Sequence, residues 1–372
     1  DPLMLLGNIQ SSLKNHSKAI EAWQKYLEVQ ASYDEHSETL ALILYHSDSR
    51  ATVRYRMGMA WEIQENLEKA EICYKRALEH APSYPEAALR LGRLYLAENK
   101  LAEAENLFKA QQDSSQPSAM AVAGLGHINA LRGNLKQADE YYQLAVEMAP
   151  DDLSVLTSSG LFYLESGNCA KAIEYLEKAL SIDENQTSIK KHLAELHFGQ
   201  GHYQEAGQLL CQIIEIDGEE ADLLNDLGNC FFKQGKYETA ESNYRKALGY
   251  PNPPTCLFRN LGLTQSQLNL PEEAIISLER YLDLEPGQTQ ITFTIGDLKL
   301  QTGDYDGALA SFEQVMQSNP MDTLALFKLA ECYRLMGHVD SAALGYQRVL
   351  QLEPEFTPAR EKLEQVAAST TI

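Results

Sequence analysis

The chain has 372 residues, with 53 acidic and 31 basic side chains, and its formal net charge is −22. Such an excess of acid argues against nucleic acid and anionic membranes as partners, because both are bound through basic surfaces. Hydrophobic residues make up 44% and charged residues 23%, which is typical of a folded protein rather than a disordered one. No apolar run approaches the roughly 18 residues of a membrane-spanning helix, so we expect no direct membrane insertion.

Residues 1–33 predict two short amphipathic helices joined by a turn. Their apolar or small residues at helical spacing are Leu3, Leu6 and Gly7 in the first helix, then Ala19, Trp23 and Tyr26 in the second. Such a pair cannot bury both of its apolar faces alone, so we expect it to pack against a neighbouring unit.

Residues 34–50 break this pattern and predict one extra helix. Leu40, Ile43 and Leu44 form an i, i+3, i+4 apolar stripe, and the sequence at 47–49 predicts a turn that caps the next helix. The stripe either packs on the neighbouring repeats or serves as a self-association surface. Homo-oligomerisation through residues 34–50 is therefore an open alternative.

Residues 51–356 hold a period of 34 residues without a shift, which gives nine units. A small residue recurs in the first half of each unit, at Gly58, Gly92, Gly126, Gly160, Ala194, Gly228, Gly262, Gly296 and Ala330. An alanine recurs in the second half, at Ala70, Ala104, Ala138, Ala172, Ala206, Ala240, Ala274, Ala308 and Ala342. A large side chain follows it by four residues, at Tyr74, Phe108, Tyr142, Leu176, Leu210, Tyr244, Leu278, Phe312 and Tyr346.

This pattern resembles the tetratricopeptide repeat, whose 34-residue period, Leu-Gly pair, Ala-x3-Phe/Tyr motif and closing proline all occur here. The resemblance implies an all-α fold, a right-handed superhelical solenoid of about ten helix-turn-helix repeats. Residues 357–372 begin a further helix with a polar outer face, and they predict a C-terminal capping helix.

The sequence offers no catalytic, cofactor-binding or metal-ligating constellation. His192, His197 and His202 are spaced i, i+5 and i+10, whereas two metal ligands on one helical face prefer i, i+4. The six cysteines contain no CxxC pair and favour reduced thiols, which indicates a cytoplasmic location. We therefore expect no enzyme activity, no cofactor and no metal.

In the repeat family that this chain resembles, the first helix of each pair lines a concave groove through fixed positions. Those positions hold a basic cluster of Arg56, Arg90, Arg93 and His127 in an otherwise acidic chain. The arginines either form internal salt bridges or bind an acidic peptide, because their planar forks match carboxylates.

The same groove positions hold a polar cluster of Asn225, Asn229, Arg259 and Asn260. Asparagine can hold a peptide backbone because its amide offers both a donor and an acceptor. The cluster resembles part of the carboxylate clamp of chaperone-binding tetratricopeptide domains, whose two asparagines correspond to Asn229 and Asn260. Asn225 replaces the leading lysine of that clamp. We expect either a site that holds an extended peptide by its backbone or ordinary solvated asparagines.

Phe198 and Phe232 occupy one repeat position in successive units and predict an apolar anchor. Such residues either pack in the core or form an exposed patch that takes a helix or apolar side chains.

These observations predict a non-enzymatic scaffold that binds an extended peptide or protein segment in its groove. Two alternatives stay open. The chain could be the substrate-docking or regulatory arm of a larger enzyme or complex, which its start directly on a helix at residue 1 would allow. It could also be a self-assembling scaffold.

Overall fold

The computed structural model describes residues 2–34, 40–82, 84–114 and 117–369. Across these residues the regular secondary structure is entirely α-helical, and it forms ten helix pairs followed by a final helix. The first ten helices are α1 (Pro2–Ser12), α2 (His16–Asp34), α3 (Leu40–Ile63), α4 (Leu67–His80), α5 (Pro85–Ala97), α6 (Leu101–Gln112), α7 (Ala119–Leu131), α8 (Leu135–Met148), α9 (Leu153–Glu165) and α10 (Cys169–Ile182). The others are α11 (Thr187–Gly199), α12 (Tyr203–Asp217), α13 (Ala221–Lys233), α14 (Tyr237–Ala247), α15 (Cys256–Gln267), α16 (Pro271–Leu284), α17 (Thr289–Thr302), α18 (Tyr305–Ser318), α19 (Thr323–Leu335), α20 (Val339–Leu352) and α21 (Thr357–Ser369).

The helices group into two compact units, one ending at Ile189 and one beginning at Lys190, so the boundary lies within α11. Within each unit, the two helices of a pair contact each other, and so do the first helices of neighbouring pairs. These first-helix contacts join α5 to α7, α7 to α9, α13 to α15 and α17 to α19. We call the surface built by the first helices of successive pairs the first-helix face.

A large side chain of the second helix closes each pair by resting on a small residue of the first. A Cβ atom built at Gly228 of α13 would lie 2.5 Å from Cε1 of Tyr244 in α14. A Cβ atom at Gly92 of α5 would lie 2.4 Å from Cε1 of Phe108 in α6. No side chain tolerates such distances, so packing requires glycine at these two positions.

The recurring alanine of the second helix is also required by packing. All nine residues are completely buried: Ala70, Ala104, Ala138, Ala172, Ala206, Ala240, Ala274, Ala308 and Ala342. A larger side chain at such a site would force the packed helices apart. The predicted helix crossings are confirmed.

The turn inside each pair places one residue in the left-handed backbone region. These residues are Lys14, Glu65, Asn99, Gly133, Gly167, Gly201, Gly235, Asn269, Gly303 and Gly337. Glycine adopts this conformation without strain, and asparagine is the next best choice, which explains most of the set.

The segment before the phased repeats differs from its prediction. Residues 40–50 do not form a separate helix that ends in a turn at 47–49, because they are the first part of the continuous helix α3 (Leu40–Ile63). Adding residues to an existing helix is easier than nucleating a new one, so one Ser-Asp-Ser stretch does not end it. Residues 35–39 and the side chains of Leu40, Ile43 and Leu44 lie outside the described part of the chain. Self-association through these three residues stays a prediction.

The predicted C-terminal capping helix is present as α21 (Thr357–Ser369). Ala359 and Val366 are buried against a cluster that contains Tyr346, and Leu363 packs against the same cluster. The outward residues of α21 are mainly charged or polar, as the end of a repeat array requires.

The contact between Gly228 and Tyr244 leads to a stability prediction. Gly228→Ala should lower the free energy of unfolding by about 1–3 kcal/mol, because the new methyl group displaces the tyrosine ring. Gly207→Ala in α12 is the matched control, since its Cβ would lie 3.7 Å from Cβ of Cys230, an ordinary contact. Alanine there should be neutral or stabilise by up to about 1 kcal/mol through helix propensity. Denaturant unfolding followed by circular dichroism measures both, and equal midpoints would contradict the close packing described.

Candidate functional site

The three asparagines of the predicted polar cluster meet between α13 and α15. Asn225 and Asn229 lie one turn apart on α13, and Asn260 lies on α15. The Nδ2 atom of Asn260 donates to Oδ1 of Asn225 at 2.9 Å and to Oδ1 of Asn229 at 3.1 Å. The side chain of Asn260 therefore joins two neighbouring repeats.

Further hydrogen bonds occupy most of the remaining polar atoms of this amide network. The hydroxyl of Tyr244 donates to Oδ1 of Asn229 at 2.9 Å. Arg259 donates through Nε and Nη2 to Oδ1 of Asn260, at 3.3 Å in each case. In the part of the chain that the structure describes, the Nδ2 atom of Asn229 makes no hydrogen bond. Asn229 thus retains two N–H donors that a ligand can use.

Asp226 adds an acidic group to the network. Asn225 donates from Nδ2 to Oδ1 of Asp226 at 3.2 Å. Burial raises the pKa of the Asp226 carboxyl above its usual range, although the hydrogen bond from Asn225 and the charge of Lys191 oppose the shift. Asp226 and Lys191 are not among the residues predicted from the sequence for this site. Asp226 has the repeat position of Asn260 and Lys191 has that of Asn225, in each case one unit earlier. The 34-residue period could therefore have predicted that both residues lie at this site.

A cavity of about 330 Å³ opens beside the amide network in the second unit. Its lining includes Lys191, Glu195, Phe198, Leu210, Asp226 and Asn229. The cavity combines an apolar wall from Phe198 and Leu210 with a donor edge from Lys191 and Asn229. The structure thus brings Phe198 of the predicted apolar anchor to the same cavity as Asn229 of the amide cluster.

Phe198 and Phe232 differ in what they contact, although they share a repeat position. Each ring packs edge-on against a tyrosine, Phe198 on Tyr203 at 5.2 Å and Phe232 on Tyr237 at 5.4 Å between centroids. Phe232 also packs against the buried cluster around Tyr244, and it does not line the cavity that contains Phe198. The two rings are both half-buried.

The arginines of the predicted basic cluster have different environments. Arg90 donates to Oε2 of Glu62 at 3.0 Å, and this carboxylate also accepts from the hydroxyl of Tyr74 at 2.6 Å. Arg56 donates to Oδ1 of Asn8. Arg93 is exposed and forms no ion pair with any residue that the structure describes. The salt-bridge interpretation therefore applies to Arg90, while Arg93 is available to a ligand.

Arg93 and His127 border a second cavity, of about 270 Å³, on the first-helix face of the first unit. Its apolar lining comes from α5, α7 and α9 and includes Leu89, Leu96, Met120, Leu161 and Phe162. Ala123 and Gly124 of α7 also line it. The preceding repeat carries leucine and arginine at these two positions, so the space arises because α7 carries small residues there.

Among the described residues, no three His, Cys, Asp or Glu side chains converge in a way that could hold a metal ion. Within the same residues, no helix combines the length and apolarity needed to cross a membrane.

The amide network should contribute to stability. Asn260→Ala removes both bonds to α13 and leaves Oδ1 of Asn225, a residue only 8% exposed, without a partner. The free energy of unfolding should fall by about 1–3 kcal/mol, the cost of an unsatisfied buried polar atom. Asn243→Ala is the control, because Asn243 donates to the carbonyl oxygen of Thr239 on its own helix. That change should stay within about 0.5 kcal/mol, and an equal loss in both variants would contradict a special role for Asn260.

The raised pKa of Asp226 predicts a pH-dependent effect on stability. The pKa of the Asp226 carboxyl is higher in the folded protein than in the unfolded chain, where an aspartate has a pKa of about 3.9. As pH rises from the unfolded value to the folded one, ionisation of Asp226 therefore increasingly destabilises the fold. Asp226→Asn should therefore stabilise the protein at neutral pH, and the gain should vanish below about pH 4. Asp340→Asn, at an exposed position in the first turn of α20, should give no gain at neutral pH. A pH-independent effect of Asp226→Asn would contradict the assignment.

Family comparisons identify tetratricopeptide repeats along the chain. One tetratricopeptide repeat model matches residues 63–125, 163–225 and 299–365. A second matches residues 221–249, and a third matches residues 121–152 and 260–288. No curated protein sequence matches the chain.

Solved structures of tetratricopeptide repeat proteins are similar to this chain. The C-terminal part of a tetratricopeptide repeat-containing protein from Cytophaga hutchinsonii is 15% identical, and the match covers 65% of this chain and 99% of that one with a TM-score of 0.55. YrrB, described as a tetratricopeptide repeat protein with an unusual peptide-binding site, is 22% identical over 52% of this chain and 100% of its own, with a TM-score of 0.48. On the family matches and the packing of its helix pairs, the chain belongs to the tetratricopeptide repeat family.

Proposed function

We propose that this chain is a non-enzymatic scaffold that binds an extended peptide or protein segment on its first-helix face. The observation that carries this proposal is the cavity of the second unit, where Phe198 and Asn229 line one space of about 330 Å³. Membership of the tetratricopeptide repeat family supports a role in protein–protein interaction, and the cavity supports the narrower peptide-binding role.

The chemistry of this cavity suits an extended segment. Two unused N–H donors of Asn229 and the ammonium group of Lys191 can meet backbone carbonyl oxygens, which an extended strand exposes at regular intervals. Phe198 and Leu210 offer an apolar wall to a side chain of the same segment. Lys191 and Asn229 thus offer donors to the carbonyl oxygens of a peptide, and Glu195 and Asp226 on the same lining offer acceptors to its N–H groups.

In this proposal Asn225 and Asn260 act as positioning residues. Asn260 donates from Nδ2 to the side-chain carbonyl oxygen of Asn229, which leaves the amide nitrogen of Asn229 for the ligand. Asn225 accepts from the same Nδ2 atom of Asn260 and so holds Asn260 in place. A donor that is already held in place loses less conformational entropy on binding, so affinity improves. Arg259, which donates to Oδ1 of Asn260, orients the network from its far side.

The first unit supports an additional contact with an acidic segment. Arg93 is unpaired among the described residues and lies beside His127 at an apolar cavity. An unpaired guanidinium group is available for two-point hydrogen bonding to a carboxylate. Of the alternatives, the docking arm gains no specific support from the structure, and self-association through Leu40, Ile43 and Leu44 stays a prediction.

A peptide-display experiment tests the proposal. A random peptide library is selected on the wild-type protein, and the association and dissociation rates of the enriched peptides are measured for wild type, Phe198→Ala and Phe232→Ala. Phe198→Ala should weaken binding by about tenfold or more, equivalent to about 1.4 kcal/mol of lost contact, mainly through faster dissociation.

Phe232→Ala is the matched control, because this ring has the same repeat position and a similar edge-on tyrosine contact but lies outside the cavity. It should change affinity by less than about threefold. Equal effects of the two substitutions, or no enrichment of any peptide over a library selected on an unrelated protein, would refute the proposal.

A further inference from the structure

A cationic cavity lies between α2, α3 and α4 in the first unit. Its volume is about 400 Å³, and Glu21, Arg54, Trp61, Lys69 and Arg76 are among the residues that line it. The residues that α3 contributes occupy repeat positions other than those assigned to the first-helix groove. The cavity is therefore distinct from the candidate peptide sites.

The charges in this cavity do not balance. Three cationic side chains face one carboxylate, so the lining carries about two excess positive charges in a chain whose net charge is −22. Neither Arg54 nor Arg76 forms an ion pair with a residue that the structure describes, although Glu79 attracts Arg54 over a longer distance. In a chain with so many carboxylates, most cationic side chains can form an ion pair. Two arginines at one cavity that have no ion pair among the described residues therefore indicate that the cavity binds an anion.

The excess of positive charge affects Arg54 most directly. Its Nε atom is buried and has no hydrogen-bond partner among the described residues. Burial lowers the pKa of the Arg54 guanidinium, and the charge of Arg76 lowers it further. A buried donor without a partner destabilises the fold, and a neighbouring like charge adds to that effect. An oxyanion placed between the two arginines would offset their mutual repulsion.

The remainder of the lining is apolar and aromatic. Trp61 forms one wall, with the Nζ atom of Lys69 lying 4.3 Å from its ring centroid. Met57 and the half-exposed Ile72 lie beside it. A cavity of this size falls in the range of sites for small organic ligands, about 300–1,000 Å³, and it exceeds what an inorganic ion fills. The ligand should therefore combine an anionic group with a flat apolar body.

We infer that this cavity binds an aryl phosphate monoester, with Arg54 and Arg76 holding the phosphate oxygens and Trp61 contacting the ring. A phosphate monoester carries a charge of about −1.5 to −2 at neutral pH, which matches the excess charge of the lining. Arginine forks bind phosphate oxygens in a two-point geometry. Two kinds of ligand carry an aryl phosphate group, namely a small organic phosphate and a phosphorylated tyrosine side chain of another protein.

Intrinsic fluorescence gives a direct measurement. The chain has two tryptophans, of which Trp23 is 1% exposed and Trp61 lines the cavity. Phenyl phosphate should change the fluorescence in a saturable way, whereas phenol should not. Trp61→Phe should abolish the signal, and calorimetry on that variant should still detect weaker binding. Inorganic phosphate should bind at least about tenfold more weakly than phenyl phosphate, because it lacks the ring.

Charge-removing variants test the role of the arginines. Arg54→Gln and Arg76→Gln should each weaken phenyl phosphate binding by about tenfold or more. Arg348→Gln, which removes the same charge from α20, should leave it unchanged. Without ligand, Arg54→Gln should raise the melting temperature, because it removes a half-buried cation that Arg76 repels and that has no ion pair among the described residues. Arg76 is exposed, so Arg76→Gln keeps the test valid if the Arg54 variant folds poorly.

A phosphotyrosine peptide distinguishes the two sources. Binding at least about tenfold tighter than that of phenyl phosphate would support a phosphorylated protein, whereas equal affinity would support a small organic phosphate. The inference is overturned if wild type shows no saturable binding of phenyl phosphate, or if Arg54→Gln and Arg76→Gln bind it as wild type does. None of these results depends on the first-helix face, so the peptide-binding proposal succeeds or fails separately.

Discussion

In each helix pair of this protein, a large side chain rests on a residue that has at most a methyl group. This contact determines how the two helices pack. Tyr244 can rest on α13 because Gly228 has no Cβ, and the buried Ala240 lets the same two helices cross closely. These contacts fix the orientation of the first helix with few residues. The other positions of α13 are then free to carry polar groups, and this is where Asn225 and Asn229 lie. Packing in one column of the repeat thus allows binding chemistry in another.

The sequence could predict which residues are neighbours but only part of how they interact. A strict 34-residue period implies that Asn225, Asn229 and Asn260 approach one another, and they do. The period does not reveal that the amides bond mainly to each other, because the orientation of each amide depends on a different neighbour. Tyr244 bonds to Asn229, Arg259 bonds to Asn260, and Asp226 accepts from Asn225. The cluster therefore combines a structural network with one available donor group, whereas its sequence pointed either to a site that binds a peptide backbone or to solvated asparagines.

Other features depend on side chains at different repeat positions, which the 34-residue period does not link. The ion pair of Arg90 with Glu62 joins different positions of adjacent units. Arg54 and Arg76 at the cationic cavity lie on the two helices of one pair, at different repeat positions. The long helix α3 reflects the cooperativity of helix extension, which local turn propensities do not capture. The cavity beside Arg93 was in principle predictable, since a summation of side-chain volumes along the groove positions would have found the deficit at Ala123 and Gly124.

The residues that hold each helix pair together are close in sequence, and this affects how the protein folds. Gly228 and Tyr244 are 16 residues apart, so a pair closes through a short loop with a small loss of chain entropy. Such local closure favours rapid folding and allows a pair at an array end to open while others stay intact. The hydrogen bonds of Asn260 oppose this independence, because they tie α15 to α13 across a repeat boundary. Opening should therefore be more cooperative around the amide network than in a stretch held together by helix packing alone.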